Sequence, residues 1–238
     1  MTRLVMLSGW GIDQRIWQPL EPHWPDNVDV VTVDWPGYGK TPSLSGNATM
    51  ETLAAAMANR LPSDAVWVGW SLGGLLATAL LDYLPAPRGL VLLGAGARFC
   101  APGSTLAAEL ADFQAVFARR PDAAWRHFLH WQAQGEPTPH HAHTQLRELL
   151  GKTPVADHTT LAMGLHWLAT LDNRRRLKTP PCPVVHLVGE HDPLASQTAR
   201  HEALTLEHCG HGPMLSQPAH LASLLAAKAT ALSVEEIA

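Results

Sequence analysis

In the stretch VWVGWSLGG, residues 66 to 74, Ser71 stands between Gly69 and Gly73 directly after a short apolar run. A serine hydroxyl becomes a useful nucleophile only when a base takes its proton and a carboxylate orients that base. The pattern GxSxG therefore predicts covalent acyl transfer if a strand precedes it, a helix follows it, and an acid and then a histidine lie further along the chain. Alone, the pentapeptide would arise by chance in a chain of this length with a probability of about 0.1. Its setting decides what it is worth.

The acid and the base are both available in that order. Asp192, in LVGEHDPL, follows an apolar run at Val184 to Val188, where loops at the carboxyl edge of a sheet carry sites. His211, in HCGHGP, lies in a Gly-rich loop beyond it. Glu190 is the competing acid, but Asp192 sits better past the strand end. The preceding loop, GAGARFC, offers no carboxylate. Among the 14 histidines, His191 reads as a solvated loop residue. His140, His141 and His143 in PHHAHT have no carboxylate at ligand spacing, so they read as polar surface and no metal is expected. Cys209 is too close in sequence to His211 to be activated by it, and reads as a packing residue.

Acyl transfer also needs donors for the oxyanion, each worth about 3 to 4 kcal/mol. The backbone N–H of Leu72, the residue after the nucleophile, is one candidate. The second belongs to the loop after the first strand. In LSGWG, residues 7 to 11, the N–H of Trp10 is the natural choice.

These groups require a parallel sheet to hold them. Apolar runs of strand length recur at Leu4 to Leu7, Val28 to Val33, Ala65 to Val68, Leu90 to Leu93 and Val184 to Val188. Their lack of strict alternation suits strands covered on both faces. Helix-like segments alternate with them at Ile16 to Leu20, Met50 to Leu61 and Leu72 to Leu84, which predicts a doubly wound α/β fold. The rhythm breaks over 98–178, where helix-like pieces such as Ser104 to Arg119 and Asp122 to Gln134 follow one another. That stretch is expected to be a helical cap over a core made of 1–97 and 179–238. It carries Phe99, Phe113, Phe117, Trp125, Phe128, Trp131 and Trp167, which are expected mostly to pack the cap and in part to line a pocket. Pro218 to Leu232 reads as a closing helix.

The bulk numbers fit one α/β domain. The chain has 238 residues, 46% of them hydrophobic, and a formal net charge of -4, which gives no reason to expect nucleic acid as a partner. Three widely spaced cysteines without a CxxC pair suit a reducing cytoplasm. The apolar run at the N-terminus is too short for a signal peptide or a membrane span, so a cytoplasmic protein without a membrane anchor is expected, and as a monomer.

Taken together, LSGWG, VDWPGYGKT at 33 to 41, VGWSLGG, VGEHDP and CGHGPMLSQP resemble the α/β-hydrolase superfamily over nearly the whole chain. Trp70 before the serine, WGIDQRIW at 10 to 17 and WRHFLHWQAQG resemble, within it, the esterases of biotin synthesis that cleave the methyl ester of pimeloyl-acyl carrier protein. The resemblance implies Ser71 as nucleophile, His211 as base and Asp192 as its orienter. It also implies Trp10 and Leu72 at the substrate carbonyl, Phe128 lining the acyl channel, and no cofactor. Three departures stand out. Ser8 replaces a histidine that usually ties down the oxyanion loop. The family's first two strands are missing, so about six strands are expected. Only 18 residues separate Asp192 from His211.

Charge adds an independent indication of substrate. Residues 100–178 hold nine Lys or Arg against seven Asp or Glu, while the remainder holds eight against fourteen. An acidic acyl carrier protein would be steered by such a region through Arg119, Arg120, Arg126, Arg147, Lys152 and the run Arg174 to Arg176. Two other readings share parts of this pattern. One is a carboxylesterase for small short-chain esters without a carrier protein; the other is a binding protein that keeps the triad for ligand capture.

Overall fold

The apolar runs that lack alternation become strands. Every residue of the central β3 (Val66–Trp70) and β4 (Gly89–Leu93) is buried, whereas the run at Val28 to Val33, at the sheet edge, leaves Val31 exposed and is not covered on both faces as expected. In the computed structural model, which describes residues 1–44 and 48–234, β3 and β4 form the centre of one sheet. β1 (Thr2–Leu7), β2 (Val28–Val33), β5 (Val184–Gly189) and β6 (Leu204–Leu206) complete it. All pairings are parallel and the order is β2-β1-β3-β4-β5-β6, the six-stranded parallel arrangement expected from the sequence.

The strand order matters for chemistry. β1 is flanked by β2 on one side and β3 on the other, so the chain leaves the carboxyl ends of β1 and β3 in different directions and opens a crevice between them. Leu7 is in register with Gly69, which brings LSGWG beside the serine turn.

Helices cover both faces: α1 (Met50–Met57), α2 (Leu72–Leu80) and, at the end of the chain, α10 (Pro218–Val234). All nine residues of α2 are buried, as an all-round apolar helix between a sheet and a second layer must be. Both α1 and α2 stop short of the expected Leu61 and Leu84. Pro62 and Pro85 follow those residues, and a residue before proline is pushed out of the helical region. The expected helix at Ile16 to Leu20 is a 3-10 helix, Gln14–His23, whose internal Pro19 and Pro22 cannot donate to an α ladder.

Between β4 and β5 lie five helices: α3 (Thr105–Arg119), α4 (Pro121–Gln132), α5 (Pro139–Leu150), α6 (His158–Thr170) and α7 (Arg174–Lys178). Their starts are written locally. Ser104 accepts from the Ala107 N–H at 3.2 Å, Asp157 accepts from Thr160 N–H at 2.7 Å, and prolines open α4 and α5. α4 ends at Gln132 rather than Gln134 because the chain turns through Gly135 at φ 88°. PHHAHT, read as polar surface, is the first turns of α5, and His143 packs edge-on against His130 with ring centroids 5.2 Å apart. The two ends of the insertion are tied together by buried Asn173. Its N–H donates to Ala97 O at 2.7 Å and its side-chain amide to Leu75 O in α2 at 3.0 Å.

After β5 come α8 (Gln197–Glu202), β6 and α9 (Pro213–Ser216). Among the described residues no helix is long and apolar enough to cross a membrane.

Candidate active site

Ser71 occupies the turn between β3 and α2 with φ 55° and ψ -125°. A non-glycine residue in that region stores about 1–3 kcal/mol of strain, which neighbouring packing must hold in place. The two motif glycines are what allow it. A Cβ at Gly69 would lie 2.5 Å from Gly74 Cα, and one at Gly73 would lie 2.5 Å from Ser8 O and 2.7 Å from Leu7 O, all backbone atoms. Gly73 thus lets the N-terminus of α2 press against the loop after β1. The serine itself is pinned by its N–H donating to Leu93 O at 2.9 Å.

Asp192 and His211 meet, with Nδ1 2.8 Å from Oδ2 and both side chains buried. The other carboxylate oxygen of Asp192 accepts from Leu194 N–H at 2.8 Å. His211 Nε2 is buried and takes no hydrogen bond, from Ser71 Oγ or any other group. Such contacts are often long before substrate binds. The end of β4 brings the pair towards the serine: a Cβ at Gly94, next to the Leu93 carbonyl that holds Ser71, would lie 3.1 Å from the His211 ring and 3.2 Å from Asp192 Oδ2.

Trp70 links the two sides directly. Its Nε1–H donates to His211 O at 2.8 Å, and its ring lies 5.2 Å from the imidazole. Trp70→Phe keeps an aromatic ring, smaller than the indole, and leaves that buried carbonyl without its donor. It should cost about 1–3 kcal/mol of stability, read as a lowered midpoint of urea unfolding. An unchanged midpoint would show that the bond is not maintained in solution.

Trp10 lies at the centre of an aromatic cluster supplied by the insertion. Phe113, Phe117 and Phe128 meet its ring edge-on at centroid distances of 5.6, 5.7 and 4.9 Å. Its indole N–H donates to Leu161 O at 2.8 Å, and Trp125 donates to Gly11 O at 2.7 Å. Neither the Trp10 nor the Leu72 backbone N–H donates across to another loop, turn or side chain among the described residues. Both remain available to an incoming oxygen. Beside Leu72 a cavity of about 270 Å³ runs between Trp35, Leu44, Leu76, Met163 and Trp167.

A sequence profile of the alpha/beta hydrolase family matches residues 4–223. The chain belongs to the alpha/beta hydrolase family. It is 36% identical over 239 residues to the biotin biosynthesis bifunctional protein BioHC of Cellvibrio japonicus, covering 94% of this chain and 47% of that protein. The chain thus spans about half the length of this bifunctional relative. It is 32% identical to the pimeloyl-[acyl-carrier protein] methyl ester esterase of Aromatoleum aromaticum, covering 93% of this chain and 96% of that one. An esterase from Exiguobacterium antarcticum superposes with a TM-score of 0.78 at 17% identity, over 97% of this chain and 92% of the other, which shows the shared fold.

This alpha/beta hydrolase meets its three sequence departures with residues that the spacing did not reveal. Ser8 leaves its loop without the usual histidine, but Trp35 Nε1–H donates to Ser8 O at 2.9 Å and Gly11 N–H to the Tyr38 hydroxyl at 3.1 Å. Burial pushes the Tyr38 phenol up to about 12, so it stays neutral and able to accept. The sheet begins with β1 and has six strands. The short path from Asp192 to His211 is filled by six-residue α8 and three-residue β6. From α8 the Arg200 guanidinium donates to the carbonyls of Gly189, Glu190 and Asp192, holding the acid loop from behind.

The competing residues are engaged elsewhere. Glu190 accepts from His208 N–H at 2.9 Å on the surface. Burial, with Glu136 and Asp192 nearby, pushes the Cys209 thiol up to about 12, which removes it as a thiolate. Among the described residues no three His, Cys, Asp or Glu side chains are grouped to hold a metal ion. Arg119, Arg120, Arg126, Arg147 and Lys152 are exposed and ion-pair with no carboxylate among the described residues. The run at 174 to 176 differs: Arg174 pairs with Asp172 at 2.6 Å and Arg176 with Asp82 at 2.5 Å.

Proposed function

We propose that the protein is a serine carboxylic ester hydrolase that cleaves the methyl ester of pimeloyl-[acyl-carrier protein] through an acyl-enzyme. The observation that carries the chemistry is the buried Asp192–His211 pair at 2.8 Å, which leaves Nε2 without a hydrogen-bond partner, beside Gly94 and hence one residue from the Leu93 carbonyl that holds the strained Ser71 turn. Asp192 holds the proton on Nδ1, so Nε2 is free to take the Ser71 proton as Oγ attacks the ester carbonyl. The backbone N–H groups of Trp10 and Leu72 receive the oxyanion. Methanol leaves with the proton from His211, and a water activated by the same nitrogen frees the acid and restores Ser71. The triad chemistry itself requires no metal or cofactor.

The substrate reading rests on the relatives and on charge. The Aromatoleum aromaticum relative is named for this ester, and the chain covers 96% of its length. Among the described residues Arg119, Arg120, Arg126, Arg147 and Lys152 are exposed cations that ion-pair with no carboxylate, and so open to an acidic carrier, whereas Arg174 and Arg176 are engaged in ion pairs. The cavity of about 270 Å³ lies beside Leu72, the residue after Ser71, and is lined mostly by apolar side chains, as an acyl chain requires, although Phe128 is not among them.

Turnover of pimeloyl-carrier-protein methyl ester by the purified protein tests the reading, with a short soluble ester as comparison. A preference for the short ester would replace the substrate while keeping the chemistry. Failure of Ser71 to label with a fluorophosphonate would remove the chemistry and favour a binding protein. Arg126→Glu is expected to raise KM for the carrier-bound ester, with an effect that shrinks as salt is added, and to spare the short ester. Equal effects on both substrates would show that the carrier does not dock there.

A further inference from the structure

We infer that Glu136, on the turn between α4 and α5, is a positioning residue that sets the geometry of His211 from within the helical insertion. This rests on His211 being the base, as proposed above. Glu136 is 4% exposed, and no lysine or arginine ion-pairs with it among the described residues. A buried carboxylate without a cation is costly unless hydrogen bonds satisfy it. Here both oxygens are used, and both on the base loop. Oε1 accepts from Gly212 N–H at 2.8 Å, one residue after His211, and Oε2 accepts from Ser216 Oγ–H at 2.5 Å at the end of α9.

The backbone around Glu136 is seated just as closely. A Cβ at Gly135 would lie 2.1 Å from His191 O, next to Asp192, and one at Gly210 would lie 2.8 Å from Gly135 C and 2.9 Å from Glu136 Oε1. The Gly135–Glu136 turn is therefore wedged against the acid loop on one side and the base loop on the other. His211 is gripped twice through its backbone: Trp70 holds its own carbonyl, and Glu136 holds the next N–H. The first grip comes from the sheet and the second from the insertion, so the imidazole is in place only when the insertion is seated. Arrangement matters more than attraction, because a misplacement of about 1 Å at a reacting group can cost on the order of 100-fold in rate.

The test uses the full chain, p-nitrophenyl acetate as a substrate that needs no carrier, and the low-field proton resonance of the His211–Asp192 hydrogen bond. Glu136→Ala is expected to lower kcat by about 30- to 100-fold with KM little changed, and to shift or broaden that resonance. Glu136→Gln keeps an acceptor for Gly212 and a polar partner for Ser216, and is expected to recover most of the lost kcat. Unchanged kcat and resonance in a folded Glu136→Ala protein would overturn the inference, as would a lowered melting temperature without a change in kcat. Glu136→Gln as damaged as Glu136→Ala would also overturn it, because charge and not the clamp would then be at work. If Glu136→Ala does not fold, Ser216→Ala removes one grip. A smaller kcat loss at constant KM supports the clamp, and wild-type kcat with a wild-type resonance refutes it. Wild-type protein inert towards every ester would overturn the reading of the preceding subsection, and the resonance would still decide the clamp.

Discussion

Ser71→Ala is expected to lower kcat for ester hydrolysis by at least about 10⁴-fold, the scale seen when a unit of nucleophile and base loses a member, while the protein folds as before. The structure explains why the two effects separate. The Ser71 hydroxyl makes no capping bond to α2, so removing Oγ costs the helix no cap, and alanine leaves a Cβ where one already stands. Ser71→Gly sharpens the test. Glycine adopts φ 55° without strain, so this variant should be as inactive but more stable by about 1 kcal/mol or more, part of the strain held at the turn. Wild-type fluorophosphonate labelling that persists in Ser71→Ala would move the nucleophile elsewhere. A Ser71→Gly protein less stable than wild type by the roughly 0.5–1 kcal/mol that glycine's extra chain entropy costs would mean that the turn is unstrained.

The candidate site was legible in the sequence where its requirements are local. Gly69 and Gly73 are needed because the backbone of α2 and of the loop after β1 would collide with a Cβ, and that need shows as a pattern five residues long. Asp192 and His211 follow strand-like runs in loops at one edge of a parallel sheet, so their order was readable too. What stayed hidden is contact between distant residues. Trp35 and Tyr38 replace the missing histidine across 27 residues, and Glu136 reaches Gly212 across 76. No periodicity marks such pairs. Helices α5 and α6 were blurred for a related reason: their sequences, rich in His and Thr, have modest intrinsic helix preference, and buried Leu146, Leu150, Leu161 and Leu165 hold them through packing.

The helices between β4 and β5 reach two loops of the proposed site. Their aromatic side chains grip Trp10 and the turn between α4 and α5 grips Gly212, so they contact the loop proposed to stabilise the oxyanion and the loop proposed to carry the base. The proposed recognition of the carrier by their exposed arginines and the proposed placement of the reacting groups thus meet in one stretch of chain. A substitution inside it that loosens packing should lower kcat as well as raise KM.

Asp192→Asn is the second large effect, and its size follows from which oxygen does what. Oδ1 accepts from Leu194 N–H at 2.8 Å, and Oδ2 faces His211 Nδ1 at 2.8 Å. An asparagine here keeps its carbonyl oxygen on the Leu194 N–H, because the amide nitrogen cannot accept that bond. Its NH2 must then face Nδ1. Facing a donor, Nδ1 becomes the acceptor, so the imidazole proton moves to Nε2, the atom that has to receive the serine proton. The ring stays in place but in the wrong tautomer, and kcat should fall by about 10⁴-fold with KM nearly unchanged. Asp192→Ala removes the same orientation without imposing the opposite tautomer, so it should retain more activity than Asp192→Asn, provided that it folds. Steady-state rates on a short ester order the two variants. Activity of Asp192→Asn within tenfold of wild type would place the orienting carboxylate elsewhere, with Glu190 the nearest alternative in sequence.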